Sequence, residues 1–199
     1  MADAKLSALA ALTGANVADG DLFYIDDVSV TTSKSITAAE ARIGLGGVLV
    51  AEYTTTGGTS IPFTGIAAGA KHITVMIKQL SASGTSNWLL QIGDAGGLEN
   101  GSYLSSAANS TGTTDATAGF IINKATVAAV TYQGKITLDL EASAAFTWVA
   151  SGLLTGAGES LQSSAGQKSL SAELTQLAIV PANGSDTFDV VAVSICVRF

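Results

Sequence analysis

His72-Ile73-Thr74-Val75-Met76-Ile77-Lys78 sets the reading of the whole chain. Ile73, Val75 and Ile77 recur at every second position with polar or flexible residues between them, the spacing that sends alternate side chains to opposite faces of a strand. The same period runs through Trp88, Leu90 and Ile92; Phe120 with Ile122; Ile136, Leu138 and Leu140; Phe146 with Trp148; and Leu170, Ala172 and Leu174. In the last run, Thr187 to Phe199, Val191, Val193, Ile195 and Val197 share one face while Val190, Ala192, Ser194 and Cys196 share the other. Both faces are nearly apolar, which predicts a central strand buried on each side.

Ser83-Gly84, Asn100-Gly101, Gln133-Gly134, Ser151-Gly152 and Asn183-Gly184 punctuate these runs as turn signals. Asn-Gly is the strongest, because both residues tolerate the positive φ of a tight hairpin turn. Short alternating runs, polar turns and no long amphipathic helix predict an all-β fold. The expected architecture is an antiparallel β-sandwich of jelly-roll type over residues 47–199, preceded by a small N-terminal anchor that is extended or forms a short helix.

Residues 1–46 read differently. Short apolar clusters (Leu6, Leu9 and Leu12; then Leu22, Phe23, Tyr24 and Ile25) alternate with turn formers, and the segment is too small to own a core. Thr37-Ala38-Ala39-Glu40 is a capping box that predicts a short helix over 38–43, stopped by Gly44. Such a helix is unstable alone, so the segment is expected to order on another surface. Gly44-Leu45-Gly46-Gly47 reads as a hinge between arm and sandwich.

Composition narrows the function classes. The chain has 199 residues, with nine Lys+Arg against sixteen Asp+Glu and a net charge of -7. That argues against a nucleic-acid partner, whose affinity rests on basic residues displacing counterions. Hydrophobic residues are 47% and charged residues 13%, enough apolar material for a core. No stretch approaches the ~20 apolar residues of a membrane-spanning helix, so no membrane insertion is expected. Met1-Ala2-Asp3-Ala4-Lys5 has neither the basic run nor the apolar segment of a secretory signal, which places synthesis and assembly in a cytoplasm. The single cysteine, Cys196, reads as a buried, inert thiol.

Several phrases resemble a known family. Lys5-Leu6-Ser7-Ala8-Leu9, Asp19-Gly20-Asp21, Phe23-Tyr24-Ile25-Asp26-Asp27 and Ser33-Lys34-Ser35-Ile36-Thr37 are similar to the N-terminal anchoring segment of fibre-type virion proteins of tailed bacteriophages. Gly58 to Ile66, His72 to Met76, Leu90 to Glu99 and Lys168 to Thr175 resemble a β-rich module at the ends of phage fibre proteins. The resemblance implies a homotrimer on the virion surface, assembled in the host bacterial cytoplasm and contacting other virion proteins of capsid or tail. No stalk separates the two regions, so a tail fibre, a head fibre and a capsid decoration (cement) protein all remain open.

The chemistry-bearing residues point away from catalysis. His72 is the sole histidine, which removes multi-histidine metal sites, and no Gly-x-Ser-x-Gly elbow accompanies it. Asp94, Glu99 and Asn100 lie in a Gly-rich loop whose oxygens suit Ca²⁺ but lack EF-hand spacing, and Asp26-Asp27 and Asp186 with Asp189 are weaker cases. No carboxylate pair, whether Asp94 with Glu99 or Asp139 with Glu141, is singled out for glycoside hydrolysis. No catalytic residue, metal or cofactor is therefore expected.

For binding, Leu6, Leu9, Leu22, Phe23 and Ile25 are the expected virion-docking residues. Trp88, Trp148, Tyr53, Tyr103 and Tyr132 could each offer an aromatic platform to a bacterial surface glycan; Trp88 and Trp148 run in phase with core positions, and Tyr103, following Asn100-Gly101-Ser102, is the expected exposed contact. Asn109 and Asp115, in the Ser/Thr/Gly-rich stretch Leu104 to Thr117 read as a loop, are expected beside it. A glycan-binding module or a depolymerase is the rival from outside the virion class.

Overall fold

The computed structural model describes residues 22–25, 34–37, 48–124 and 127–199, of which 22–25, 34–37 and 48–50 are described as backbone. The chain divides into two units, Met1–Gly47 and Val48–Phe199. In the first, β1 (Leu22–Ile25) pairs antiparallel with β2 (Lys34–Thr37), setting Leu22 opposite Thr37, Phe23 opposite Ile36 and Ile25 opposite Lys34. Thr37 ends β2. Leu6, Leu9, Asp26, Asp27, the expected helix over 38–43 and the Gly44 to Gly47 hinge lie outside the described residues.

The second unit contains β3 (Val48–Tyr53), β4 (Ile61–Thr64), β5 (His72–Ala82), β6 (Trp88–Asp94), β7 (Gly97–Leu98), β8 (Leu104–Asn109), β9 (Gly112–Ala116) and β10 (Phe120–Ile121). It continues with β11 (Tyr132–Ala142), β12 (Thr147–Gly156), β13 (Gln162–Ser169), β14 (Gln176–Pro181) and β15 (Phe188–Arg198). Every pairing is antiparallel. β3 pairs β15, β4 pairs β14, β5 pairs β11 and β6 pairs β10. Moving inward from both ends, outer strand meets outer strand and inner meets inner, so these eight strands form one long antiparallel ribbon.

Rolling that ribbon gives two sheets. β3, β15, β5 and β11 become neighbours in one, and β4, β14, β6 and β10 in the other. This is the strand order of a jelly roll, in which two Greek keys share a core. Two insertions then widen the first sheet. β8 and β9 (between β6 and β10) join β12 and β13 (between β11 and β14), giving the order β3-β15-β5-β11-β12-β13-β8-β9.

Alternation explains the packing. Val191, Val193, Ile195 and Val197 of β15 and Ile73, Val75 and Ile77 of β5 face inward and are buried, opposite Leu90 and Ile92 of β6 and Leu177 and Ile179 of β14. Trp88 meets Tyr132 and Phe188 edge-on, with ring centroids 5.3 and 6.0 Å away. Each fully buried aliphatic side chain contributes ~1.5–3 kcal/mol relative to exposure.

Five expectations are corrected here. β15 lies inside its sheet but is buried on one face only: among the described residues no element packs on the outer face, and Ala192, Ser194 and Cys196 remain half-buried. Cys196 is therefore not a core thiol; it stands between Val50 and Thr74 on the outer side of the sheet. Leu170, Ala172 and Leu174 lie in a loop after β13, with Leu170 and Leu174 inserted into the end of the core. The stretch Leu104 to Thr117 is not a loop but carries the β8–β9 hairpin, whose ladder runs from Ser105 opposite Ala116 to Asn109 opposite Gly112. Gln133-Gly134 and Ser151-Gly152 lie within β11 and β12, where the glycines permit close packing instead of turning the chain.

Gly134 has φ +148°, and a Cβ there would meet the Leu153 carbonyl oxygen at 2.0 Å. Gly158 also has positive φ, but nothing lies within 4 Å of its would-be Cβ. Gly134→Ala is therefore expected to cost ~3 kcal/mol or more, combining backbone strain with a clash that the strand must shift to relieve. Gly158→Ala should cost ~1 kcal/mol. Urea midpoints of the two variants check the difference.

Candidate functional site

Tyr103 does not offer a contact to solvent. It is fully buried, packed edge-on against Phe120 at 5.0 Å, because it follows a left-handed residue, Ser102 (φ 61°), that turns the chain inward. Its hydroxyl accepts the Ile92 amide at 2.9 Å and stands 3.2 and 3.0 Å from the Ile92 and Glu99 carbonyl oxygens, to which it donates. Burial raises its pKa from 10.0 to about 12.

The Gly93 to Gly101 loop is tied into the same cluster. Lys168, 5% exposed, reaches across from β13 to Glu99 at 2.5 Å and lies 5.3 Å from the Tyr103 ring centroid. Asp94 accepts the Ser171 hydroxyl at 2.5 Å and the Gly96 amide at 2.8 Å, and these bonds, the hydroxyl foremost, lower its pKa from 3.8. Both carboxylates are thus engaged by protein groups. Among the described residues no group of three His, Cys, Asp or Glu side chains is placed to hold a metal ion.

Asn109 and Asp115 are separated from Tyr103 by burial. Asn109 is committed within the chain: Oδ1 accepts the Thr111 amide and hydroxyl at 2.9 and 2.7 Å, and Nδ2 donates to the Lys124 carbonyl at 3.1 Å. Asp115 is exposed on β9 opposite Ser106. Asp186, another weak cation candidate, accepts the Ser86 amide and the Asn183 side-chain amide at 3.1 and 2.8 Å.

His72 begins β5 on the outer face of the larger sheet. Its Nδ1 is 2.6 Å from Asp139 Oδ1 across the ladder, and its Nε2 is 2.9 Å from Thr74 Oγ1 two residues along. A hydroxyl, an imidazole and a carboxylate in line are the parts of a nucleophilic triad. Transition-state stabilisation also needs free amide donors aimed at a developing oxyanion. β5 is paired on both sides, with β15 and β11, so its amides are spent in the sheet. The arrangement accordingly orders a cross-strand pair on a flat face.

A further feature is a recess at the end of the sandwich where β11 turns into β12. A single 3₁₀ turn, Ser143–Ala145, closes on Phe146 in the left-handed region (φ 47°, ψ 39°), which is costly for an aromatic residue. Phe146, Trp148, Leu140, Ala70 and Leu174 wall the recess, with Ser143 and Glu173 also lining it. Its volume is about 40 Å³. Backbone bonds fix the walls: Leu140 N–H to Lys71 O at 2.9 Å, Leu170 N–H to Phe146 O at 3.1 Å and Thr175 N–H to Gly93 O at 3.0 Å. Trp148 is buried as its phase predicts, yet its Nε1 has no hydrogen-bond partner among the described residues.

Sequence reading missed this recess because Glu173 sits in a stretch that scans as a strand and nothing local marks Phe146 as left-handed. Comparison with protein-family models, curated proteins and solved structures finds no match.

Two stability tests follow from the buried cluster. Glu99→Gln should cost ~3 kcal/mol by leaving the Lys168 ammonium buried without its counter-charge, while Lys168→Met, which removes that charge, should cost less. The pH profile tests the other two groups. Asp94 titrates below its unfolded value of 3.8 in the native state, so its stabilisation is complete well above that pH and is lost as pH falls through the folded pKa. Tyr103 has the opposite sign: the unfolded chain ionises near 10 while the native hydroxyl holds its proton to about 12, so stability falls with rising pH across that window. Asp94→Asn should flatten the acid limb and Tyr103→Phe the alkaline limb of urea midpoints plotted against pH.

Proposed function

We propose that this chain is a non-enzymatic structural protein of a tailed-phage particle, docked through its N-terminal unit and displaying the jelly roll outward as a trimeric fibre or spike that attaches to host-surface glycan. The observation that carries the reading is the jelly-roll strand order, an architecture used by viral shell and lectin domains. Fold alone does not fix function. The resemblance of the N-terminal phrases to a virion anchor supplies the second support, and the commitment of His72, Asp94 and Glu99 to structural bonds supports a role without catalysis.

The mechanism is assembly. Apolar residues of the arm gain ~25 cal/mol per Å² buried in a partner, less the cost of ordering the arm. Three copies on one axis then convert weak contacts into avidity, for docking and for glycan alike.

A second reading, a capsid decoration protein or head fibre, draws on the outer face of the larger sheet. Met76 and Leu153 share one row there through Lys135, and Leu153 and Leu161 are 52% and 58% exposed. Exposed apolar groups of that kind suit contact with a neighbouring subunit.

Immunogold labelling of purified particles separates the two. Gold at the tail end supports the attachment fibre, gold spread over the head supports decoration, and particles without label overturn both. Leu22→Asp with Phe23→Asp should leave the circular dichroism spectrum unchanged and abolish incorporation into particles. Sedimentation should give a mass near three chains.

A further inference from the structure

We propose that Asn100 is a site of spontaneous deamidation, and that its conversion to aspartate or isoaspartate loosens the buried cluster around Tyr103 as the protein ages. The chain carries the tripeptide Asn-Gly-Ser twice, at Asn100-Gly101-Ser102 and at Asn183-Gly184-Ser185. Local sequence is therefore equal at the two places, and what distinguishes them is structure.

The chemistry needs freedom at two adjacent groups. The glycine amide nitrogen gives its proton to water or hydroxide and attacks the asparagine side-chain carbonyl carbon. A C–N bond forms to that carbon, its bond to the side-chain nitrogen breaks, and the nitrogen takes up a proton and leaves as ammonia. Water then opens the cyclic imide at either carbonyl, giving aspartate or the isoaspartate in which the backbone runs through the side-chain carbons. Glycine favours the closure because it has no Cβ to obstruct it and its backbone turns freely.

At Asn183 both groups are held. The Gly184 N–H donates to the Pro181 carbonyl at 3.0 Å. Asn183 Oδ1 accepts the Ser185 and Asp186 amides at 3.1 Å each, and Nδ2 donates to Asp186 Oδ1 at 2.8 Å. Ring closure there must first break these bonds. At Asn100 neither group is held. Asn100 is exposed, and among the described residues its side chain and the Gly101 N–H make no hydrogen bond. The space about Gly101 is open as well: beyond its two chain neighbours, nothing lies within 4 Å of a would-be Cβ.

The flanking residues make the conversion consequential. Glu99 is pinned by its N–H on the Ile92 carbonyl at 3.0 Å, by its carbonyl against the Tyr103 hydroxyl at 3.0 Å and by its carboxylate on Lys168. Tyr103 is pinned by its own N–H on the Thr117 carbonyl at 3.1 Å. Residues 100–102 bridge these fixed points, so the additional backbone carbon of an isoaspartate has to be absorbed within that short bridge. Either product also sets a new negative charge next to Glu99 in a chain whose net charge is already -7.

The test follows the full chain, native and in urea, through incubation at mildly alkaline pH, with peptide mass spectrometry reading the gain of about 1 Da at each site. The native chain should convert Asn100 at least about tenfold faster than Asn183, because hydrogen bonds oppose closure only at the second site. In urea the two rates should converge. Gly101→Ala, for which there is room, should slow the native conversion about tenfold. Equal native rates at the two sites, or an Asn100 that keeps its amide while the chain in urea converts, overturns the proposal. The isoaspartyl form, separated chromatographically, should unfold at a lower urea midpoint than the unmodified chain. Asn100→Asp, which adds the charge without the extra backbone carbon, should lose less. An isoaspartyl form as stable as its parent overturns the coupling to the Tyr103 cluster.

Discussion

The pairing of β3 with β15 is the constraint on which the rest of the second unit depends. It sets Val48 opposite Arg198 and so brings together residues from the two ends of the unit. Once that pair is made, β4 is brought to β14, β5 to β11 and β6 to β10 as the ribbon rolls. The hydrogen bonds are long-range, so loop-closure entropy opposes them until the two apolar faces meet. What offsets that cost is the inward row of Val191, Val193, Ile195 and Val197 against the inner face of the smaller sheet.

A rolled ribbon still leaves edges, and the insertions manage one of them. β10 would otherwise present an open edge, but β8 and β13 curl beside it. Ser105 Oγ accepts the Ile121 amide at 2.9 Å, and Gln162 Oε1 accepts the Lys124 amide at 2.8 Å. Side chains thus complete hydrogen bonds that another strand would make. Gly166 permits the approach, since a Cβ there would meet the Phe120 ring at 2.9 Å. At the opposite side of the smaller sheet, edge strand β4 carries Pro62, which has no amide to donate to an intruding strand.

Where apolar residues alternate against polar ones, sequence and structure agree: β5 and β11 are legible because one buried face writes the period directly. β15 is legible as a strand, but its half-buried outer face of Ala192, Ser194 and Cys196 misleads about burial. β8, β9 and β13 are not legible. Ser105, Ala107, Gln162 and Lys168 face inward with little hydrophobic signal, because that part of the sheet packs on hydrogen bonds, a small apolar cluster around Leu89 and Ile121, and an ion pair. Tyr103 misleads for a related reason. Its neighbours Ser102 and Leu104 are exposed, and only the tertiary position of the Ile92 amide explains why a phenol is buried there. Of the candidate site, the phase of Trp148 is readable, but the loops that meet around it come from distant stretches of chain.

That meeting of loops has a cost the sequence retains. A left-handed aromatic residue is strained by ~1–2 kcal/mol relative to a glycine at the same place. Yet Phe146 occupies a position at which its carbonyl anchors Leu170, while on the far side of the same loop Ser171 is held by Asp94 and Thr175 by Gly93. The two sheets are therefore joined at this end by polar bonds that leave a gap between their walls. Glycine at 146 would relieve the backbone, and a larger side chain at Ala70 would fill the gap. Chains sit near a stability threshold and tolerate such departures where the geometry serves another end. At Phe146 the strain is offset by what the turn secures, namely the Leu170 amide on its carbonyl and a ring packed against the core.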